Sequence, residues 1–199
     1  MSKKTFIFII ISSVLILSLV ACNTVDNTKV IKIKSAKLTQ KEENLLKLVK
    51  GNSEYKIYDY VLNDKVKSVH INFLTLNSNN EWKENGGASS EISNPTGRIA
   101  ISSVGENGNL QISIQNGGSI ANFKSNSEVY KNLKEMGRAM VWGEESDVVY
   151  EKEIPLFIQI ISNSSEIEAS MDGFYNTDKL KDYDIVNAVT VTFSEDPIN

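Results

Sequence analysis

The chain predicts a mainly β fold, or an α+β fold dominated by strands: an antiparallel β-sandwich or a curled sheet covered by one or two short helices. Three observations support this. Apolar and polar residues alternate with period two at several separate places, as in Leu110, Ile112 and Ile114 against Gln111, Ser113 and Gln115. Short turn sequences such as Asn63-Asp64 and Asn107-Gly108 lie between these runs. The strand–helix–strand rhythm of a parallel sheet does not appear.

The elements follow in order. Thr39 and Glu42 have capping-box spacing, Leu45, Leu48 and Val49 recur at helical spacing, and Gly51 supplies an αL stop. A short helix results, with its apolar stripe expected on the sheet. Residues 55–62 are aromatic and β-branched, which favours a strand. Residues 65–76 alternate, with Val69, Ile71 and Phe73 on one face and Ser68, His70 and Asn72 on the other. Residues 98–104 and 110–115 flank the Asn107-Gly108 turn as a hairpin.

Ser125 and Glu128 could box a second helix, with Val129, Leu133 and Met136 on one side and Gly137 at its end. Residues 140–142 and 148–150 are short strand candidates. Residues 154–161 form a nearly continuous apolar run, as a strand covered on both faces does, and Pro155 confines pairing near its start. The chain closes on residues 188–193, with Val189, Val191 and Phe193 facing one way.

The N-terminal segment reads differently. Lys3 and Lys4 precede an apolar run from Phe6 to Val20, and Ala21 is a small residue at a cleavage position. The run is shorter than the roughly 20 residues a spanning helix needs. Residues 1–21 therefore read as a signal peptide, residues 22–34 as a tether, and residues 35–199 as one β-rich domain. About a dozen flexible tether residues span roughly 20 Å. A first edge strand over residues 30–33 is the alternative for the end of that tether.

Leu19-Val20-Ala21-Cys22 resembles the lipobox of bacterial lipoproteins. The resemblance implies a lipid on the Cys22 sulfur, cleavage between Ala21 and Cys22, and anchoring on the outer face of the cytoplasmic membrane. The mature chain is also similar to small surface lipoproteins of Gram-positive bacteria, in Ser35-Ala36-Lys37-Leu38-Thr39, in the stretch from Tyr150 to Leu156, and in the terminal run from Ala188 to Phe193. That likeness implies a localisation and no particular activity.

Composition narrows the chemistry. Without Lys3 and Lys4 the chain carries 19 basic and 25 acidic residues, a net −6 against −4 for the whole sequence. An acidic protein is repelled by nucleic acid, so no nucleic-acid partner is expected. Cys22 is the sole cysteine and His70 the sole histidine. Acylation of Cys22 removes thiol chemistry, and a Ser-His-Asp triad would have to run through His70, which the alternation places toward solvent. Ser53 and Lys56 match Ser-x-x-Lys, the motif of penicillin-interacting serine enzymes. That motif opens a helix in the family, whereas here it lies between a helix stop and a strand.

Two candidate sites remain. Tyr55, Tyr58 and Tyr60, with Trp82 on a nearby turn, could stack sugar rings or a protein partner, or could simply be packed. Glu144, Glu145 and Asp147 form one acidic loop, and Asp172, Asp178, Asp182 and Asp184 surround another. Such loops suit a solvated surface, a calcium ion or a general acid/base pair. No cofactor beyond the covalent lipid is expected, with calcium as the exception to test. The leading functional expectation is a non-catalytic binding domain for an envelope protein, peptide or glycan. An immunity or accessory lipoprotein that sequesters a peptide or toxin, and a tethered carboxylate hydrolase, are the alternatives.

Overall fold

A computed structural model describes residues 31–51, 53–104, 109–125 and 133–198. The leader, most of the tether, the Asn107-Gly108 turn and most of the second capped helix lie outside the described residues. Among the described residues, eleven strands form two antiparallel sheets. The strands are β1 (Lys32–Ser35), β2 (Glu54–Val61), β3 (Ser68–Leu76), β4 (Trp82–Glu91), β5 (Thr96–Val104), β6 (Asn109–Asn116), β7 (Ser119–Lys124), β8 (Gly137–Trp142), β9 (Glu145–Asp147), β10 (Ile154–Ser162) and β11 (Ile185–Ser194). The six-stranded sheet runs β7-β6-β5-β2-β1-β9 and the five-stranded sheet β4-β3-β11-β10-β8. The helices are α1 (Gln40–Lys50) and the single turn α2 (Asp172–Tyr175).

The fold is mainly β and antiparallel as expected, and of the two expected architectures it is the sandwich. Ile33, Tyr58, Ile99, Ile101, Ile112 and Ile114 point inward from one sheet and meet Val69, Ile71, Phe157, Val189, Val191 and Phe193 from the other. The Tyr58 hydroxyl spans the interior and donates to the Leu156 carbonyl at 2.7 Å. A second apolar cluster lies on the outer face of the five-stranded sheet, where Leu74, Ile158, Ile160, Val186 and Ala188 meet Phe174 and Leu180. Trp82 stacks on Phe174 at 5.2 Å and donates its indole N–H to the Phe174 carbonyl. Strand β10 is thus buried at every residue, as its continuous apolar run requires. Its polar residues are Ser162, whose hydroxyl donates to Asp184, and Gln159, fully buried with neither amide atom paired among the described residues.

Several local expectations are corrected. Lys32–Ser35 is a strand, so the tether cannot extend to residue 34. It lies between β2 and β9 rather than at an edge. The edge is β9, three residues earlier in the chain than the 148–150 strand expected; Val148 continues the pairing by donating its N–H to the Ile31 carbonyl. Trp82 opens β4 and is not on a turn. The turn before it is closed by the Asn77 side chain, which accepts from the Asn79 and Glu81 backbones at 2.9 Å each. The described end of the expected second helix is a single 3-10 turn at Leu133–Glu135, after which Gly137 starts β8, and the Ser125 hydroxyl accepts from the Leu110 N–H, extending the β6–β7 end.

Helix α1 has the expected capping box, with Thr39 and Glu42 each accepting from the other's backbone. Gly51 ends it at φ 55° and ψ −127°, a positive-φ conformation outside the αL region and suited to glycine. Its apolar stripe does not pack on the sheet: Leu45, Leu48 and Val49 are 54, 81 and 79 % exposed. The cause is Glu42. Its carboxylate is taken by Arg98 on the sheet, so the side of the helix carrying Glu42 and, one turn on, the half-buried Leu46 faces inward.

Gly97 sits between Tyr60 and Asn116 in the row of paired residues across β2, β5 and β6. With no side chain there, the Tyr60 ring crosses over Gly97 and its hydroxyl accepts from the Asn116 amide at 2.9 Å. A methyl group at position 97 would overlap the Tyr60 hydroxyl and the Gln115 carbonyl oxygen. Gly97→Ala is therefore expected to destabilise the domain by about 1–3 kcal/mol, read as a lower urea midpoint at unchanged slope. Wild-type stability in that variant would contradict the packing described.

Candidate functional site

The outer face of the six-stranded sheet carries the most organised polar surface among the described residues. Alternation turns Tyr58, Tyr60, Ile99 and Ile101 inward, so Asp59 and Arg98 project outward from paired positions on β2 and β5. Arg98 donates from Nε to Asp59 and from a terminal nitrogen to Glu42, both at 2.8 Å. The second Glu42 oxygen accepts from the Thr39 N–H and hydroxyl, each at 2.8 Å. Arg98 and Thr39 together hold the Glu42 carboxyl at a pKa of about 2, and Glu42 in turn raises that of Arg98.

Beside this junction runs an open groove of about 350 Å³, lined by Asp59, Asn94, Thr96, Arg98, Gln115 and Gly117 among others. The Asn116 side chain fixes its wall. Its oxygen accepts from the Ser93 and Asn94 backbones at 2.7 and 3.0 Å, while its nitrogen donates to the Asn94 carbonyl and Tyr60. Asn94 then accepts from the Thr96 N–H and hydroxyl. Rigid donors and acceptors are thus placed at one mouth without a ligand having to order them, which favours polar recognition. Sequence reasoning missed this site; its signals were Asn116 before a Gly-Gly turn and Asn94 before Pro95.

The predicted aromatic platform is not assembled. Tyr58 and Tyr60 are 1 % exposed and face the core. Burial pushes both phenols up, and Glu144 adds to the rise at Tyr58. Tyr55 is half-buried on the opposite face of β2, and Trp82 belongs to the other sheet. Period two separates Tyr55 from the other two tyrosines, and the sheet order separates Trp82 from all three.

The acidic group is used by lysines. Glu144 accepts from Lys56 at 2.9 Å and from the Ser35 hydroxyl at 2.8 Å, and Glu145 pairs with Lys32 at 2.7 Å. These partners lower both carboxyl pKa values and, through Glu145, raise that of Lys32. Glu145 and Asp147 are on an edge strand and not on a loop. In the second acidic group, Asp172 opens α2, while Asp184 accepts from the Ser162 hydroxyl and the Asn163 N–H, which lower its pKa. Among the described residues no three His, Cys, Asp or Glu side chains converge as metal ligands.

His70 lies between two serines, with Nδ1 2.8 Å from Ser89 Oγ and Nε2 3.0 Å from Ser68 Oγ. Ser68 donates its one hydroxyl hydrogen to the Asp196 carbonyl at 2.7 Å, so it accepts from Nε2–H and Nδ1 accepts from Ser89. A neutral serine cannot stabilise an imidazolium as a triad carboxylate does. The trio ties β3 to β4 and to the C-terminal segment. Ser53 precedes β2 and Lys56 lies within it, so the Ser-x-x-Lys spacing does not open a helix.

The chain matches no protein-family model, no curated protein and no solved structure.

The Glu42 carboxyl lies below its ordinary pKa in the folded protein, so its contribution is present above about pH 4.5 and is lost as the pH falls toward 2. Wild type should melt above Glu42→Gln at about pH 5, and the gap should narrow below pH 4.5 and close only below the folded-state pKa, by about pH 1.5, as measured by circular dichroism. A gap that persists at the lower pH would show that Glu42 does not act through its charge.

Proposed function

We propose that the protein is a lipid-anchored, extracytoplasmic, non-catalytic binding protein held on the outer face of the cytoplasmic membrane. One observation carries the reading: Leu19-Val20-Ala21-Cys22 stands directly after a basic start and an apolar run too short to span a membrane. A diacylglyceryl group on Cys22 supplies two chains, enough for stable anchoring where one chain is marginal.

Two features support binding over hydrolysis. A carboxylate general acid needs a raised pKa, and Glu144, Glu145 and Asp184 of the two acidic groups, like Glu42, are displaced the other way, which removes these four from that role. The Arg98 groove, in contrast, presents fixed amides and hydroxyls. Ile120, 63 % exposed on edge strand β7, pairs with the groove residue Gln115. Polar groups beside an apolar side chain and a strand edge suit a peptide segment.

Cys22→Ser should abolish incorporation of labelled palmitate and move the protein from the membrane fraction to the medium. Unchanged membrane retention would refute the anchor. For the binding half, the domain used as bait in envelope extract should capture a ligand that a Thr96→Lys variant loses. Capture that is absent, or equal with both baits, would refute the groove as the binding surface.

A further inference from the structure

The apolar face of α1 needs an occupant. Leu45, Leu48 and Val49 form one exposed stripe, with exposed Lys41 one turn before Leu45 on the same side and exposed Lys47 beside Leu48. A stripe of this composition is the pattern of a helix lying in a lipid interface, with apolar side chains among acyl chains and lysines at the headgroups. The opposite side of the helix is already engaged through Glu42 and Arg98.

Charge is segregated along the chain in the same sense. Residues 29–50 contain seven lysines and two acids, a net +5, whereas residues 51–199 contain 12 basic and 22 acidic residues, a net −10. An anionic lipid surface attracts the first segment and repels the second, so the field orients the domain with α1 toward the membrane.

The chain also leads there. Eight residues lie between Cys22 and Ile31, so the covalent chain reaches at most about 32 Å. Lys34, Asp59 and Arg98 lie in one register row, and Lys32 is two residues further along β1. At ordinary strand spacings the chain therefore enters the sheet about 12 Å from the Arg98 junction that holds α1. Three apolar side chains bind lipid only weakly by themselves. A lipid on Cys22 raises their effective concentration at the surface to the order of millimolar, which makes weak docking sufficient.

We propose that Leu45, Leu48 and Val49 of α1, flanked by Lys41 and Lys47, dock on the anionic bilayer surface that carries the Cys22 anchor. The inference rests on the lipid-anchor reading. It holds the outer face of the six-stranded sheet near the headgroups and turns the five-stranded sheet outward. The Arg98 groove then opens beside the membrane.

The test uses the full acylated protein in vesicles of phosphatidylglycerol and phosphatidylethanolamine. Acylation occupies Cys22, so a nitroxide on Leu48→Cys or on the remote control Asp178→Cys is the single label. Collisions with a water-soluble nickel chelate should fall about five-fold at position 48 on membrane binding and stay unchanged at position 178. The shielding at 48 should weaken when phosphatidylcholine replaces the anionic lipid. A vesicle-bound protein with position 48 still open to the chelate overturns the docking and leaves the anchor standing. Shielding that follows protein concentration and not lipid charge overturns it in favour of a second copy of the chain. If wild type and Cys22→Ser are equally soluble in cells, the anchor fails and the docking fails with it.

Discussion

Strand β10 carries nine consecutive buried residues, so it needs cover on both faces, and the rest of the architecture arranges that cover. The six-stranded sheet closes one side and the segment of residues 163–184 closes the other, through Phe174 and Leu180. The first contact is tied by polar as well as apolar groups. The Tyr58 hydroxyl reaches the backbone of β10, satisfying a phenol that burial would otherwise penalise by about 1–3 kcal/mol. Phe157, at the centre, also meets the Trp142 ring at 4.3 Å, which draws β8 onto the same interior. Sheet order and chain order follow from this: β11 and β8 flank β10, and β3 and β4 build outward from β11.

The six-stranded sheet has a different economy. Only its inner face takes part in a large apolar cluster, and its outer face is organised by hydrogen bonds and ions. Arg98 is about one-third exposed, as are its two carboxylate partners. Ion pairs of that exposure are screened by solvent and contribute far less than the burial of one core isoleucine. Helix α1 is therefore held lightly, by a junction that sets its rotation more than its stability. A lightly held helix with an apolar outer stripe can transfer to another surface without disturbing the sandwich.

Much of the fold was legible in the sequence wherever a strand had two different faces or two buried ones. Residues 65–76 and 110–115 alternate because one face meets the core, residues 188–193 alternate in polarity although Ala188 and Thr190 on the other face are buried too, and residues 154–161 do not alternate because both faces are apolar and covered. Strands β4 and β7 were not legible. Both are mostly exposed edge strands, and Gly86, Gly87 and Ala88 of β4 give no apolar period, so β4 is defined by backbone pairing with β3 and by the contacts of Trp82 and Ser89. The cap of α1 was readable because Thr39 and Glu42 are three residues apart. Its rotation was not, because Arg98 lies 56 residues further on. The tyrosine platform fails on the period-two rule, since Tyr58 and Tyr60 share a parity that Tyr55 lacks, whereas composition alone marked the strand. The Asn116 network left only a faint mark, an asparagine before two glycines, because its partners Ser93 and Asn94 come from a separate loop.

The central physical claim is that a permanent slab around β10 supports an α1 held only at its surface. Hydrogen exchange of the domain in lipid-free solution, resolved by amide, tests it most directly. Amides of β10, β11 and β3 should exchange only through global unfolding, while those of α1 should open locally and exchange on the order of a thousand-fold faster. Protection of α1 equal to that of β10 would contradict the claim, because it would make the helix part of the cooperative core.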